Sequence, residues 1–327
     1  MRVLVAGGAG YIGSHTCKAL AQAGHTPIVY DNLGRGHAWA VKWGPLEQGD
    51  LNDRAVLDGV MRRHRPDAVI NFAALAYVGE STKEPTLYYR ANVAGTVTLL
   101  EVMRAHEVAS IVFSSSCATY GVPEQLPIVE TMMQRPINPY GRSKLMGEEI
   151  LRDACAAHRL GAVALRYFNA AGADPGGELG EEHEPETHLI PLVLQAALGQ
   201  RAVAIFGTDY ETADGTCVRD YVHVSDLAAA HVTALAVCQA GRFAAYNLGT
   251  GQGASINEVI ACARKVTGKP IAATAEARRL GDPPVLVADA SQARAVLNWT
   301  LRHSELGDVI GHAWKWMSEH RARAMQR

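Results

Sequence analysis

Short apolar runs alternate with longer stretches in which apolar residues recur every three or four positions, and the alternation begins with the first residues of the chain. Residues 3–6, 27–30, 68–71, 110–113 and 162–165 are apolar and rich in β-branched side chains, the makeup of strands buried on both faces. Between them, residues 11–23, 53–63, 86–106 and 139–158 carry helical spacing, with Asp53 placed as the N-cap of the second. Strand followed by helix, repeated, predicts an α/β fold: a doubly wound, Rossmann-like parallel sheet over residues 1–170. From Arg166 the texture changes. Gly and Pro become dense through residues 169–188, and a loop of that length is unusual unless it is functional, so it is read as a cover over a ligand. Helical spacing returns at 226–239, 257–267 and 305–318 without an internal repeat. This predicts a smaller C-terminal α/β lobe over 171–327, with some segments returning to the first domain.

Composition narrows the function without choosing it. The 327 residues are 48% hydrophobic and 20% charged, which is a compact globular chain rather than a disordered or fibrous one. Lys plus Arg number 31 against 33 Asp plus Glu, so there is no basic footprint for nucleic acid and an anionic ligand must be held by local charges. No unbroken apolar run reaches the length of a membrane span, and the apolar start runs directly into glycines instead of a cleavage site. Six scattered cysteines without a C-x-x-C pair argue against a zinc knot or a disulfide framework and for a reducing cytoplasm. His183, Glu184 and His188 hint at a metal, but their five-residue histidine spacing misses the i, i+4 geometry of a helical His-Glu-x-x-His site. No metal is expected.

The chemistry-bearing residues fall at the ends of the predicted strands. In Gly7-Gly8-Ala9-Gly10-Tyr11-Ile12-Gly13, Gly7 permits a tight turn, Gly10 lets backbone approach a pyrophosphate, and Gly13 lets helix pack on strand; the helix N-terminus then faces the phosphates. Asp31 closes the second strand, where a carboxylate accepts from ribose hydroxyls and repels a 2′-phosphate, which favours NAD over NADP despite Arg35 nearby. Asp50 and Leu51 are placed either to reach the adenine edge or, with Asn52 and Asp53, to open the following helix. Tyr140 and Lys144 lie four apart and share one helix face, so an ammonium can stabilise a phenolate that takes a proton from a substrate hydroxyl. Ser114, Ser115 and Ser116 end the fifth strand, and Ser116 is placed to share that proton.

These segments, with FAALAYVGES at 72–81, NPYGRSK at 138–144, LRYFNAAGA at 165–173, ETHLIP at 186–191, GTCVRDYVHV at 215–224 and RRLGD at 278–282, resemble the UDP-glucose 4-epimerase family of extended short-chain dehydrogenases/reductases. The resemblance covers nearly the whole chain in order. It implies tightly held NAD, a transient 4-keto sugar, interconversion of UDP-galactose and UDP-glucose, and a homodimer that pairs residues 86–106 with the helix of Tyr140. Tyr140 resembles the family's base, Lys144 its partner on the nicotinamide ribose, and Ser116 the assisting hydroxyl. The implied cofactor site comprises Gly7, Gly10, Tyr11, Ile12, Gly13, Asp31, Asn32, Asp50, Leu51, Phe72, Ala73, Ala74, Asn92, Ser114 and Tyr167 besides Tyr140 and Lys144. For the UDP-sugar, the resemblance implies Asn169 at the phosphates, Phe206 beside uracil, Arg219 and Arg279 as a pyrophosphate clamp, and Asp282 on the uridine ribose. His188, Leu189 and Tyr221 complete that set. Three positions depart from some members: His188 stands where some have Asn, Ala76 where some have Lys, and Leu286 near carbon 2 of the sugar where members carry Tyr or a smaller residue.

Rival activities lack their residues or need fewer. A nucleotide-sugar 4,6-dehydratase needs Asp-Glu after the active hydroxyl, where this chain has Cys117 and Ala118. A UDP-pentose or UDP-uronate 4-epimerase would use the same core. A non-catalytic NAD-binding regulator would have no need of Ser116, Tyr140 and Lys144 together.

Overall fold

A computed structural model of the chain describes residues 1–279 and 282–324. Leu280 and Gly281, the centre of the RRLGD segment, lie outside the described residues. In chain order the strands of the first half are β1 (Arg2–Ala6), β2 (Thr26–Asp31), β3 (Leu46–Gln48), β4 (Ala68–Asn71), β5 (Ser110–Ser116) and β6 (Gly161–Tyr167). The second half supplies β7 (Asn169–Ala171), β8 (Val203–Phe206), β9 (Val218–His223), β10 (Phe243–Leu248), β11 (Gly253–Ser255), β12 (Ala273–Glu276) and β13 (Val285–Leu286). Seven of these form one parallel sheet in the order β10-β6-β5-β4-β1-β2-β3.

The strands are apolar along most of their length because each face has its own helices. Val3 and Val5 pack with Leu20 of the helix Tyr11–Gln22 and with Leu227, Ala230 and Ala234 of the helix Val224–Leu235. Leu4 and Ala6 point the other way, to Leu57, Leu99 and Leu151 on helices Arg54–His64, Gly95–Ala105 and Pro139–His158. Each fully buried aliphatic side chain contributes about 1.5–3 kcal/mol, which holds both layers to the sheet. Strand order reverses between β1 and β4, and the crevice at their carboxyl ends is where such sheets take ligands.

Asp53 caps the helix Arg54–His64, its carboxylate accepting from the Val56 amide at 3.2 Å. The helix expected over 86–106 is instead Pro85–Tyr88, a π-helical stretch Tyr89–Ala94 and Gly95–Ala105. Leu189–Ala197 is a helix that spacing did not predict: its residues are apolar almost all round because it is buried with Val193 and Leu194 against Val259, Ile260, Val309 and Ile310. The smaller lobe centres on that cluster, on a sheet in which β9 pairs with β7, β11 and β13, and on the pair β8 and β12. β10 and the helix Val224–Leu235 return to the large sheet. Among the described residues no helix is long and apolar enough to cross a membrane.

From Gly172 to His188 the chain has no helix or strand, yet side chains from the first 42 residues fasten it at many points. The Tyr11 hydroxyl donates to the Gly172 carbonyl at 2.7 Å, and Lys18 Nζ reaches Asp174 at 2.8 Å and Glu178 at 2.5 Å. Lys42 donates to the Glu178 carbonyl and Arg35 to that of Glu184, at 2.7 and 2.8 Å. One exposed ion pair is worth about 0–1 kcal/mol, so the loop is held by their number.

Candidate active site

One cavity of ≈ 1580 Å³ runs along the crevice and into the smaller lobe. A single small-molecule ligand usually fills about 300–1,000 Å³, so there is room for two. Its first end is made from backbone. Gly7 has φ +76°, and a Cβ there would sit 2.6 Å from the Ala73 nitrogen; one on Gly13 would sit 2.2 Å from the Gly7 carbonyl oxygen. Gly10 would meet only that same oxygen, at 3.3 Å, and it lines the cavity where the helix Tyr11–Gln22 begins. Gly7 thus needs its left-handed turn and Gly13 its close fit on the turn before the helix, while Gly10 leaves its side of the turn open toward the cavity. Tyr11, Ile12, Leu51, Phe72, Ala73 and Ala74 line the same end.

Asp31 also belongs to this wall, and its two oxygens accept from the Ala9 amide at 3.0 Å and the Leu33 amide at 2.8 Å. Burial raises its carboxyl above the usual range while the amides pull it down. Each oxygen retains acceptor capacity for a ribose hydroxyl. Arg35 is committed elsewhere: its guanidinium bonds Glu80 at 2.8 Å, donates to Glu184 and lies 4.8 Å from the Tyr77 ring centroid. Asn32 donates to Asp50 at 2.8 Å, and both line the cavity; Asp53, not Asp50, caps the next helix. Asn92 is the exception among the expected residues. It is buried off the cavity wall, where its amide holds both the nitrogen and the carbonyl of Leu75 and donates to Ser143 at 2.9 Å.

Where the sheet meets the smaller lobe, Ser116 ends β5 and Tyr140 opens the helix Pro139–His158. Asn138 caps that helix by accepting from the Gly141 amide at 2.8 Å, and Pro139 begins it. A Cβ on Gly141 would lie 2.4 Å from the Ala118 carbonyl oxygen, so this glycine lets the helix start approach the end of β5. Lys144 Nζ donates to the Ser114 carbonyl at 2.8 Å and stands 5.9 Å from the centroid of the Tyr140 ring. Ser114 Oγ and the Tyr167 hydroxyl are 2.5 Å apart.

The side chains of this corner are buried, and burial governs their titration. It pushes the Tyr140 phenol well above its ordinary range, opposite to the direction expected from Lys144 alone, with the hydrogen bond to Ser116 opposing. It lowers Lys144 to about 7, with the Glu148 charge opposing. Neither charge is favoured alone, but a phenolate and an ammonium close together in a buried site each favour the charged form of the other. The two groups are thus suited to ionise as a pair.

The far end is made from side chains. Asn169 on β7 is in register with Tyr221 on β9, and Arg219, two residues earlier, is in register with Leu286 on β13, so all four share a face. All four line the cavity, as do His188 and Leu189. The Arg279 guanidinium lies 4.0 Å from the centroid of the Phe206 ring, a cation–π contact. Arg219 and Asp282, expected on different parts of one ligand, bond each other here.

Sequence spacing gave no sign of the network beneath the serines. Glu148 and Arg166 are buried and doubly bonded, at 2.6 Å and 2.9 Å; Glu148 also accepts from Ser115 at 2.5 Å, and Arg166 donates to Tyr120 at 2.8 Å. Arg166 immediately precedes Tyr167, and Glu148 lies one turn beyond Lys144, so the pair fixes both walls of the corner.

Residues 3–249 match the model of the NAD dependent epimerase/dehydratase family. The chain belongs to that family. Within it, the chain is 52% identical over 318 residues to a UDP-glucose 4-epimerase of Rhizobium meliloti, covering 97% of each. The crystal structure of UDP-glucose 4-epimerase from Brucella ovis in complex with NAD is 52% identical, covers 96% of this chain and 97% of its own, and superposes with a TM-score of 0.93. A UDP-glucose 4-epimerase from Stenotrophomonas maltophila with bound NAD and formylated UDP-arabinopyranose is 42% identical, covers 99% of each chain and gives a TM-score of 0.95.

Proposed function

We propose that this protein is an NAD-dependent UDP-glucose 4-epimerase, an isomerase that interconverts UDP-galactose and UDP-glucose. The observation that carries the reading is that Ser116, Tyr140 and Lys144 line one cavity together with the glycine turn and with Arg219 and Asn169. NAD supplies, when bound, the acceptor and donor of hydride at carbon 4 of the sugar. Tyr140 takes the proton of the 4-hydroxyl, Ser116 shares it, and Lys144 balances the phenolate. Phe206, Arg279 and Arg219 hold the nucleotide while the 4-keto sugar turns its other face, and Tyr140 then returns the proton. Guanidinium forks suit that pyrophosphate, in a chain whose formal net charge is −2.

NAD rather than NADP fits this site, because Asp31 stands at the tip of β2 and Arg35 is held by Glu80 and Glu184. Elimination of water does not fit it, because Cys117 follows Ser116 and burial pushes that thiol up to about 12, beyond use as an acid or base at neutral pH. Six free thiols support a cytoplasmic setting. Exposed Leu87, Val97 and Met146, on the elements expected to pair, support a homodimer.

The test is incubation of the purified protein with UDP-galactose, followed by chromatographic separation of the UDP-hexoses. UDP-glucose should form without added cofactor, and acid extraction should release NAD. No conversion even with added NAD overturns the reading, and recovery of NADP overturns the role of Asp31.

A further inference from the structure

The loop that covers the crevice turns back on itself between Glu181 and His188, so that Glu181, His183, Glu186 and His188 each bring one ligand atom within 4.8 Å of the others. The helical spacing rule that spoke against a metal does not apply, because these residues lie in a loop. The carboxylate side chains are nearly buried, at 6% and 7% exposure. His188 Nδ1 is 2.8 Å from Glu181 Oε1 and 3.1 Å from Glu186 Oε1; His183 Nδ1 is 3.2 Å from Glu181 Oε1 and 3.6 Å from Glu186 Oε2. Tetrahedral zinc with bonds of about 2.0–2.1 Å to nitrogen and oxygen holds its ligand atoms about 3.3 Å apart; the imidazole-to-carboxylate distances of 2.8 to 3.6 Å bracket that value, with Glu186 turning a different oxygen to each ring, and all four ligand atoms lie within 4.8 Å of one another.

An imidazolium–carboxylate pair accounts for His188, whose Nδ1 is hydrogen-bonded to Glu186 Oε1 at 3.1 Å, but not for the angle at His183. His183 Nδ1 is buried and makes no hydrogen bond, although an oxygen of Glu181 lies within range. A donated proton would be aligned on one oxygen, whereas a ring nitrogen serving a central cation points between them. Among the described residues neither Glu181 nor Glu186 is paired with a Lys or Arg, so a dication with two neutral imidazoles would balance both carboxylates. The rings of Tyr11 and Tyr77 stand edge-on to His183, with centroids at 6.3 and 6.1 Å, and close one side.

We infer that Glu181, His183, Glu186 and His188 form a structural site for a divalent transition metal, zinc before others, that pins the crevice-covering loop beside Tyr11. Two imidazoles select such an ion over magnesium or calcium, and four protein ligands close its coordination, so the metal sets the shape of the loop rather than acting on substrate. Full-length protein without a polyhistidine tag, equilibrated with zinc and dialysed, should retain about one zinc per chain by elemental analysis, and the H183A/E186Q variant about tenfold less. Cobalt in place of zinc should give the visible absorption bands of a four-coordinate site, absent from the variant. Zinc should raise the melting temperature of the wild type alone. Wild-type protein that keeps less than about a tenth of an equivalent of zinc overturns the site whatever the variant does, and so does a variant that keeps as much as wild type.

Discussion

The two ends of the cavity are built from different materials. At the end we assign to the dinucleotide, three glycines within one turn and one helix start do most of the shaping, and the Asp31 carboxylate is the main side-chain group there. At the end we assign to the nucleotide sugar, Asn169, Phe206, Arg219, Arg279 and Asp282 come from separate strands and loops of the smaller lobe. A backbone site tolerates no added atom, because its shape and the fold are the same thing. A side-chain site can lose or exchange one contact and keep the rest. Ser116, Tyr140 and Lys144 line the same cavity as both ends, with Lys144 held by the Ser114 carbonyl and the Tyr140 helix start drawn close at Gly141.

The largest effect should come from the junction. Tyr140→Phe keeps the buried ring and the packing but removes the proton acceptor, so turnover should fall by about 100- to 10,000-fold while bound NAD and melting temperature stay near wild type. Steady-state rates and extracted cofactor measure both. A near-normal rate would mean that another group takes the proton, and the junction would lose its distinction from the walls on either side.

Lys144 extends the test to pH. Burial lowers it from its ordinary 10.5 to about 7, so between those values the unfolded chain binds more protons than the folded one and stability rises with pH; below 7 the full penalty of a buried ammonium is present. Lys144→Met should therefore slow catalysis at every pH, yet gain on wild type in stability as pH falls from 9 to 6. The gain should reach a few kcal/mol at most, accruing at about 1.4 kcal/mol for each tenfold rise in proton concentration within that window. Melting curves across that range decide it. A difference that does not change with pH would show that Lys144 is not held against its charge.

Gly13→Ala probes the backbone end. Its Cβ would lie 2.2 Å from the Gly7 carbonyl oxygen and 2.8 Å from Gly8 Cα, neither of which is a flexible tip. Overpacking of this kind costs about 1–3 kcal/mol, and the variant should melt lower and copurify with less NAD. Normal NAD content would break the argument that this end has no freedom to yield.

What could be read from the chain divides along the same line. The glycine turn, the Asp53 cap and the Tyr140–Lys144 face are local arrangements, each fixed by residues within a few positions, and the structure places them as spacing predicts. The Glu148–Arg166 pair joins residues 18 positions apart through the middle of the fold, and nothing local marks either as more than a surface charge. Asn92 falls between: its expected neighbourhood is right, but its amide supports Leu75 rather than the cavity wall. The helix Leu189–Ala197 escaped notice because a segment buried on all sides has no polar face to give it a period. Local geometry is legible, and arrangements that close only through tertiary contact are not.

The smallest effect belongs to the side-chain end and concerns choice of substrate. Leu286 lines the cavity on β13, in register with Arg219 and packed on the cluster of Tyr120, Ile128 and Phe168. The family resemblance puts this position near carbon 2 of the sugar, where bulk decides between a hydroxyl and an acetamido group. Leu is shorter than Tyr and can change rotamer, yet fills more space than Gly, so UDP-glucose and UDP-galactose should be preferred with weak turnover of UDP-N-acetylglucosamine. A few atoms in a pocket discriminate by about 1–3 kcal/mol, and a mobile leucine belongs at the low end, roughly tenfold. Leu286→Tyr should abolish the weak activity and spare the main one, while Leu286→Gly should raise it. Because Leu286 also packs on a buried cluster, the ratio of kcat/KM values for the two substrates is the quantity to compare, since instability lowers both alike. An unchanged ratio in both variants would move the gate elsewhere, and the sugar end would then owe its selectivity to shape shared among several walls, a property that otherwise marks the backbone end.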